Sequence, residues 1–160
     1  MPKGQLQIEF IISVAIFAIT ITYVATASIN KLPYLHNEAN INQMAMQSLQ
    51  ISELFLFDEG YPEDWDRGGS VQRLGLSSGN DYELNSLKVS KLNTMCSDYE
   101  SVKSIVKIEN VWMLEISKLD GTIITNCKPS IVSNVYNEFV LNRYASLNGD
   151  IVKVEVRVMK

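Results

Sequence analysis

The stretch KGQLQIEFIISVAIFAITITYVATASIN, residues 3–30, decides the fold of this 160-residue chain. From Phe10 to Asn30 it contains no charged residue, and as a helix this run would span roughly 30 Å, the hydrocarbon thickness of a bilayer. Glu9 stands at the edge of the apolar run, where a carboxylate is costly unless it has a partner. The sequence therefore predicts one membrane-spanning helix, followed by a soluble domain.

Three interpretations account for this N-terminal segment. A cleaved secretory signal would use Ala25-Thr26-Ala27 as its small-residue cleavage site, but Glu9 then occupies a flank that such signals keep basic. A plain uncleaved anchor explains the apolar run and gives Glu9 only the small stabilisation of a negative charge at a helix N-terminus. In the third interpretation, the chain is a subunit that uses Glu9 for assembly.

The string K-G-Q-x-x-x-E-F over residues 3–10 resembles the class III signal peptide of archaeal type IV pilins. In that family a short basic leader ends in Gly, and a prepilin peptidase cuts before the hydrophobic segment. The mature chain then opens with a pattern close to Q-x-S-x-E-F. The chain matches this pattern at Gln5, Glu9 and Phe10, whereas Gln7 stands where the family usually has Ser.

The resemblance implies a role for each of these residues. Lys3 and Gly4 would be recognised by the peptidase, which would cut the bond between Gly4 and Gln5. Cleavage would create an α-amine on Gln5 that is mostly protonated at neutral pH and lies about one helical turn from Glu9. Between packed helices, Glu9 of one subunit would neutralise the amine of its neighbour, so that Glu9 and Phe10 are the expected assembly residues.

Composition and the resemblance together divide the chain into four parts. Residues 1–4 form a short leader, 5–30 a hydrophobic transmembrane and assembly helix, 31–59 an amphipathic continuation of that helix, and 60–160 a β-rich globular head. We expect an α+β, type IV pilin-like fold in which the long N-terminal helix packs on an antiparallel sheet.

Hydrophobic periodicity predicts the elements of the head. Residues 85–104 fit one or two short helices, and strands are expected at Val71–Leu76, Ile105–Ile108, Val111–Ile116, Thr122–Thr125, Val135–Leu141 and Ile151–Val158. In the last strand, valines should face one side of the sheet and charged residues the other. The valines are Val152, Val154, Val156 and Val158, and the charged residues are Lys153, Glu155 and Arg157.

The chain has two cysteines, Cys96 and Cys127. In an exported domain we expect a disulfide between them, closing a loop of about 32 residues that would add roughly 3–4 kcal/mol in the chain-entropy model. In a reduced cytosolic protein they would instead be two small buried hydrophobic residues.

Several function classes find no support in the sequence. The net charge of −4, without a basic cluster, argues against nucleic acid as a partner. His36 is the only histidine, and no phosphate-binding loop, C-x-x-C pair or H-E-x-x-H motif is present, so neither an enzyme nor a cofactor is expected. Glu63, Asp64 and Asp66 lack the spacing of a calcium-binding loop, so no metal is expected there.

The sequence thus favours a precursor that enters the cell membrane, is cut by a prepilin peptidase and joins other pilin subunits in a homo- or hetero-filament. The head would lie outside the cytoplasm, on a cell-surface pilus, where it would serve adhesion or contact with other pilins. Two alternatives stay open. One is a membrane-tethered extracellular binding domain that never polymerises, and the other is a pseudopilin of a secretion or uptake machine.

Overall fold

The computed structural model describes residues 3–130 and 137–160, including all their side chains except those of residues 3–7, 32, 33, 35 and 36. The chain forms two compact units, Met1–Asn40 and Ile41–Lys160, and from here on we call the second unit the head. The fold is α+β, as predicted. A long N-terminal helix is followed by a five-stranded, mostly antiparallel sheet, an arrangement consistent with a pilin-like fold.

A single helix, α1, runs from Lys3 to Phe57. In its last turns, buried side chains recur every three or four residues, which is the period of one helix face. They are Met44, Ser48, Ile51, Ser52 and Phe55. This face belongs to the core of the head: the ring of Phe55 lies 6.1 Å from that of Trp112, centroid to centroid, and Asn110 donates a 2.7 Å hydrogen bond to Gln47.

Two short helices follow in the predicted 85–104 region, α2 over Ser86–Met95 and α3 over Tyr99–Val106. Each begins at a side-chain cap. Asn85 accepts hydrogen bonds from the backbone N–H groups of the first turn of α2, and Asp98 does the same for α3. These caps satisfy backbone donors that have no partner inside the helix, and they explain where both helices begin.

Five strands form the sheet: β1 Glu83–Leu84, β2 Val111–Lys118, β3 Ile123–Cys127, β4 Glu138–Leu147 and β5 Asp150–Met159. Their order across the sheet is β1-β4-β5-β2-β3. The predicted closing hairpin is β4–β5, turning at Asn148 and Gly149, although residues 135 and 136 lie outside the described part of the chain. The predicted antiparallel sheet is found except at one edge, where β1 pairs with β4 in parallel.

Two predicted strands are wrong. In Val71–Leu76 only Arg73 forms a β-bridge, an isolated one with Tyr61, and the segment otherwise packs as a loop. Ile105–Ile108 is divided between the end of α3, at Val106, and the turn that follows it. Four residues of alternation fit either period, and here the Asp98 cap and packing of α3 against the sheet outweigh the β propensity.

Two buried aromatic side chains connect elements of the core through hydrogen bonds. Tyr99 on α3 donates a 2.8 Å hydrogen bond to the carbonyl of Trp112 and accepts a 3.0 Å bond from its N–H, which ties α3 to β2. Trp65 is fully buried in the loop after α1, and its indole N–H is shared by the carbonyls of Glu59 and Gly75 at 3.2 Å each. The loop is therefore a packed part of the head.

Candidate functional site

The helical segment Ile8–Lys31 is long and apolar enough to cross a membrane. It has 24 residues, a mean hydropathy of 2.2, and no buried residue in its most apolar stretch. Large apolar side chains are exposed around the whole helix rather than along one stripe, for example Phe10, Phe17, Ile19 and Tyr23. A helix that is apolar on every side needs an apolar environment, and this segment does not obtain one from its own chain.

Four hydroxyl groups of this segment are bonded to the backbone of the same helix. Ser13 donates to the carbonyl of Glu9 at 2.9 Å, and three threonines donate to the carbonyl four residues earlier at 2.8 Å each. These threonines are Thr20, Thr22 and Thr26. Since a polar group without a partner is costly in hydrocarbon, these bonds make the segment compatible with a bilayer core.

The predicted assembly residues are Glu9 and Phe10, which are neighbours near the start of the apolar segment. Both side chains are exposed, Phe10 to 70%. None of the ion pairs found among the described residues involves Glu9. Among the side chains that the structure describes, Glu9 therefore has no ion-pair partner, although it borders a long apolar surface where an unpaired charge is costly.

The predicted processing residues Lys3, Gly4 and Gln5 fall in the first helical turns of α1. Their side chains lie outside the described part of the structure, so the recognition of this junction stays a prediction. The helical backbone places residues 5 and 9 one turn apart, which is the spacing that the assembly hypothesis uses.

Cys96 and Cys127 form a disulfide, consistent with the sequence prediction. Cys96 is the C-terminal cap of α2, and Cys127 is the last residue of the edge strand β3. The bond therefore joins a short helix to a strand that pairs with only one neighbour among the described residues. Its role in the fold is to tie down an edge of the sheet.

The outer face of the sheet has a charged centre, as the alternation in β5 predicts. Glu155 is 7% exposed and binds Lys153 at 2.9 Å and the guanidinium of Arg157. Burial raises the pKa of Glu155, but the hydrogen bonds and charges of these two cations outweigh it and hold the pKa below its usual range. Opposite Glu155 on β2 stands Glu115, which accepts a 3.3 Å hydrogen bond from Asn126. These partnered charges stabilise the sheet.

The sequence did not predict a surface on the head where four aromatic side chains are exposed. They are Phe57, Tyr61, Tyr82 and Tyr144, exposed to 38, 56, 43 and 58%. We call this set the aromatic surface. Phe57 and Tyr61 line a groove of about 750 Å³, and Tyr82 and Tyr144 line a second groove of about 420 Å³. The rings of Phe57 and Tyr82 meet edge to face at 4.8 Å, so the two grooves adjoin.

Tyr82 occupies this position through an unusual backbone conformation. Its φ is +59°, a region that bulky residues rarely adopt, and its carbonyl accepts a 2.7 Å hydrogen bond from the N–H of Ser146 on β4. That bond continues into the β1–β4 pairing. The constraint holds the ring beside Tyr144, and no periodic signal in the sequence indicates it.

Acidic residues surround the aromatic surface. Its first groove is also lined by Glu53, Glu59 and Glu63, and its second by Asp81 and Glu83. Within the described residues, no group of three or more His, Cys, Asp or Glu has an arrangement that could hold a metal ion. Glu63 and Asp64 are exposed, and Asp66 is half-buried.

Comparison of the chain with models of known protein families, with curated proteins and with solved structures found no match. Its function is therefore inferred from its residues and their geometry.

Proposed function

We propose that this chain is a structural subunit, major or minor, of an archaeal type IV pilus-like surface filament. A prepilin peptidase would cut it between Gly4 and Gln5, and the mature chain would assemble with other pilin subunits through its N-terminal helix. The observation that supports this most is the apolar segment Ile8–Lys31, which is unburied within its own chain and follows a leader that resembles the class III signal.

The exposed apolar surface of this segment requires another apolar partner. Burying one large aliphatic or aromatic side chain stabilises it by about 1.5–3 kcal/mol relative to its exposure to water. More than ten such side chains are exposed here, so the segment is not stable in water. A bilayer would cover the segment before assembly, and the helices of neighbouring subunits would cover it afterwards.

Exchanging lipid for neighbouring helices gains little from hydrophobicity, because both surroundings are apolar. Assembly therefore needs a specific attraction. Glu9 can supply it by pairing with the new α-amine on Gln5 of a neighbouring subunit, since an unpaired carboxylate at this depth is costly. In this proposal the cut creates the positive charge that assembly uses, and the head, outside the cytoplasm, needs no catalytic group.

The N-terminal residue of the protein from its native membrane or cell surface tests the processing step. We expect a chain that begins at Gln5 and retains the apolar segment, measured by intact mass and N-terminal sequencing. A chain that begins at Ser28 would indicate a cleaved secretory protein. A chain that begins at Met1 or Pro2 would indicate a plain anchor, and either result would refute the filament proposal.

The substitution Glu9→Ala tests the assembly step, with Glu38→Ala as its control because Glu38 is an exposed acid on the same helix beyond the apolar segment. We expect Glu9→Ala to insert and be cut normally while surface filaments, counted by electron microscopy, fall at least tenfold. Glu38→Ala should leave filaments unchanged. Normal filaments with Glu9→Ala would refute the role of Glu9 in assembly.

The wild-type protein separates the alternatives. A wild-type protein that is cut but forms no filaments would favour the tethered binding domain, and very short filaments would favour a pseudopilin.

A further inference from the structure

We propose that the aromatic surface of the head is a docking site for a basic segment of a partner protein, whose arginine side chains stack on its rings and pair with its carboxylates. The inference is independent of the filament proposal, because every residue it uses lies in the unit Ile41–Lys160. It would hold equally for a tethered head.

The four rings of the aromatic surface come from separate parts of the chain. Phe57 is the last residue of α1, Tyr61 lies in the loop that follows, Tyr82 precedes β1, and Tyr144 is on β4. Isolated exposed aromatic residues are common, but four along two adjoining grooves form a contiguous patch of the kind that marks interaction sites. Tyr82 also has a positive φ of +59°, a disfavoured conformation for a bulky residue that persists only where the surrounding structure fixes it, so the position of this ring is set by the fold.

The charge of the surroundings selects a cationic partner. Among the residues that line the two grooves, the only cation is Arg73, and it is already paired with Asp58 at 2.9 Å. The other lining carboxylates form no ion pair among the described residues, and Glu83 only accepts a neutral hydrogen bond from Asn80. The lining is therefore strongly negative and complementary to a positive ligand.

A cation of the sheet next to this surface already has a partner. Lys153 is the cross-strand neighbour of Tyr144, but its ammonium is bound to Glu155 at 2.9 Å. That hydrogen bond stabilises the charged ammonium and thereby raises the pKa of Lys153.

Rings and carboxylates together favour arginine over other cations. The flat guanidinium stacks on an aromatic face and forms paired hydrogen bonds with a carboxylate, whereas the ammonium of lysine is more strongly hydrated. The carboxylates are also spread along both grooves rather than gathered around one point, which suits an extended segment with several cationic side chains better than a single ion.

The test uses the full-length chain in detergent and a fluorescein-labelled octapeptide of alternating arginine and glycine. Binding is followed by fluorescence anisotropy at physiological ionic strength, so that the diffuse attraction between opposite charges is screened. A lysine peptide and a citrulline peptide of the same length are the matched probes, because citrulline keeps the shape of arginine without its charge. We expect the order of affinity arginine, then lysine, with no binding of the citrulline peptide.

Two pairs of variants locate the binding. Glu53→Gln with Glu63→Gln should weaken binding of the arginine peptide about tenfold, whereas Glu100→Gln with Glu109→Gln, which removes the same charge from exposed sites elsewhere, should change it less than about twofold. Tyr61→Leu with Tyr144→Leu should weaken binding about fivefold at constant charge. Tyr23→Leu with Tyr34→Leu, which replaces two exposed tyrosines of α1, should leave binding unchanged.

Four results would overturn the proposal. Equal losses from both acid pairs would mean that the peptide senses only the net charge of the chain. Unchanged binding by the groove tyrosine variants would remove the aromatic contribution. Binding of the citrulline peptide as tightly as the arginine peptide would exclude cation recognition. Binding of a neutral polysaccharide such as dextran, with none of the arginine peptide, would assign the surface to a glycan.

Discussion

The two units of this molecule differ in how far their large apolar side chains are exposed. In the first unit they are exposed on all sides of α1, and in the second most of them are buried in one core formed by the end of α1, the two short helices and the sheet. Phe17 is 65% exposed, whereas Phe55, on the same helix, is fully buried. The sequence pattern differs: residues 10–30 carry no charged residue and are apolar at most positions, whereas residues 44–55 alternate apolar residues with polar ones such as Gln50 and Glu53, which are exposed.

The stability of the two units depends on different surroundings. The head buries its own core and holds its edge by a disulfide, so its stability is a property of the chain. The apolar segment is unburied in its most apolar stretch, so we expect its stability to depend on an apolar environment, such as lipid or other helices. Substitutions should therefore affect folding in the head and insertion or assembly in the segment.

The largest effect is expected from a matched pair of phenylalanines. Phe55→Ala should lower the free energy of unfolding of the head by about 3–5 kcal/mol, because it leaves a cavity beside Trp112. Phe17→Ala should change that free energy by less than about 0.5 kcal/mol. Chemical denaturation of the detergent-solubilised protein, followed by tryptophan fluorescence, measures both. Similar losses from the two variants would show that the units do not fold independently.

Removing the disulfide should have the next largest effect. The double substitution of Cys96 and Cys127 by Ala should lower the stability of the head by about 3 kcal/mol, because the loop between them, 31 residues in sequence separation, is no longer closed in the unfolded chain. Denaturation under oxidising conditions measures the loss. Treatment of the wild type with a reductant should reproduce it, while the helical content of the apolar segment Ile8–Lys31 stays the same. A double variant as stable as the wild type would contradict the assigned role.

These elements also show which parts of the fold can be predicted from sequence. The apolar segment, the helical period before Phe57 and the long alternation of β5 are strong local signals, and all appear in the structure. Ile105–Ile108 is too short to define a period, and the parallel pairing of β1 depends on where β4 returns to the sheet.

The same reasoning explains what was predictable of the candidate sites. A short motif indicates Glu9 and Phe10, and the presence of two cysteines indicates a disulfide, so the sequence alone is enough to propose these residues. The aromatic surface brings together three separate stretches of the chain, at residues 57–61, 82 and 144, and the position of Tyr82 depends on a positive φ that no local propensity predicts. Only the folded chain reveals it.

A smaller effect is expected from the buried carboxylate of β5. Glu155→Gln should lower the stability of the head by about 1–2 kcal/mol at neutral pH, because Lys153 and Arg157 lose the charge they share. The pKa of Glu155 is lower in the folded than in the unfolded chain, so its contribution is complete above the unfolded pKa, about 4.3, and is lost as the pH falls through the folded value. The difference between wild type and variant should therefore be constant from about pH 7 to 5 and shrink below about pH 4.

The control for Glu155 is its cross-strand neighbour Glu115, which lies on the same face with Asn126 as its hydrogen-bond partner. Glu115→Gln should change stability by less than about 0.5 kcal/mol, because the carboxylate also repels Glu155 and that repulsion is relieved. Urea denaturation across the pH range measures both variants. A difference for Glu155→Gln that grows on acidification would refute the sign of the pKa change.

The smallest effect on stability is expected from the N-terminal cap of the short helix α2. Asn85→Ala should destabilise the head by about 1 kcal/mol, because the side chain accepts hydrogen bonds from the N–H groups of Leu87 at 2.9 Å and Lys88 at 3.3 Å. Asn93→Ala, at an exposed position inside the same helix, should instead stabilise it by a few tenths of a kcal/mol, since Ala has the higher helix propensity. Thermal denaturation of both variants measures the difference. Effects of the same sign would mean that α2 is fixed by its packing and its disulfide rather than by its cap.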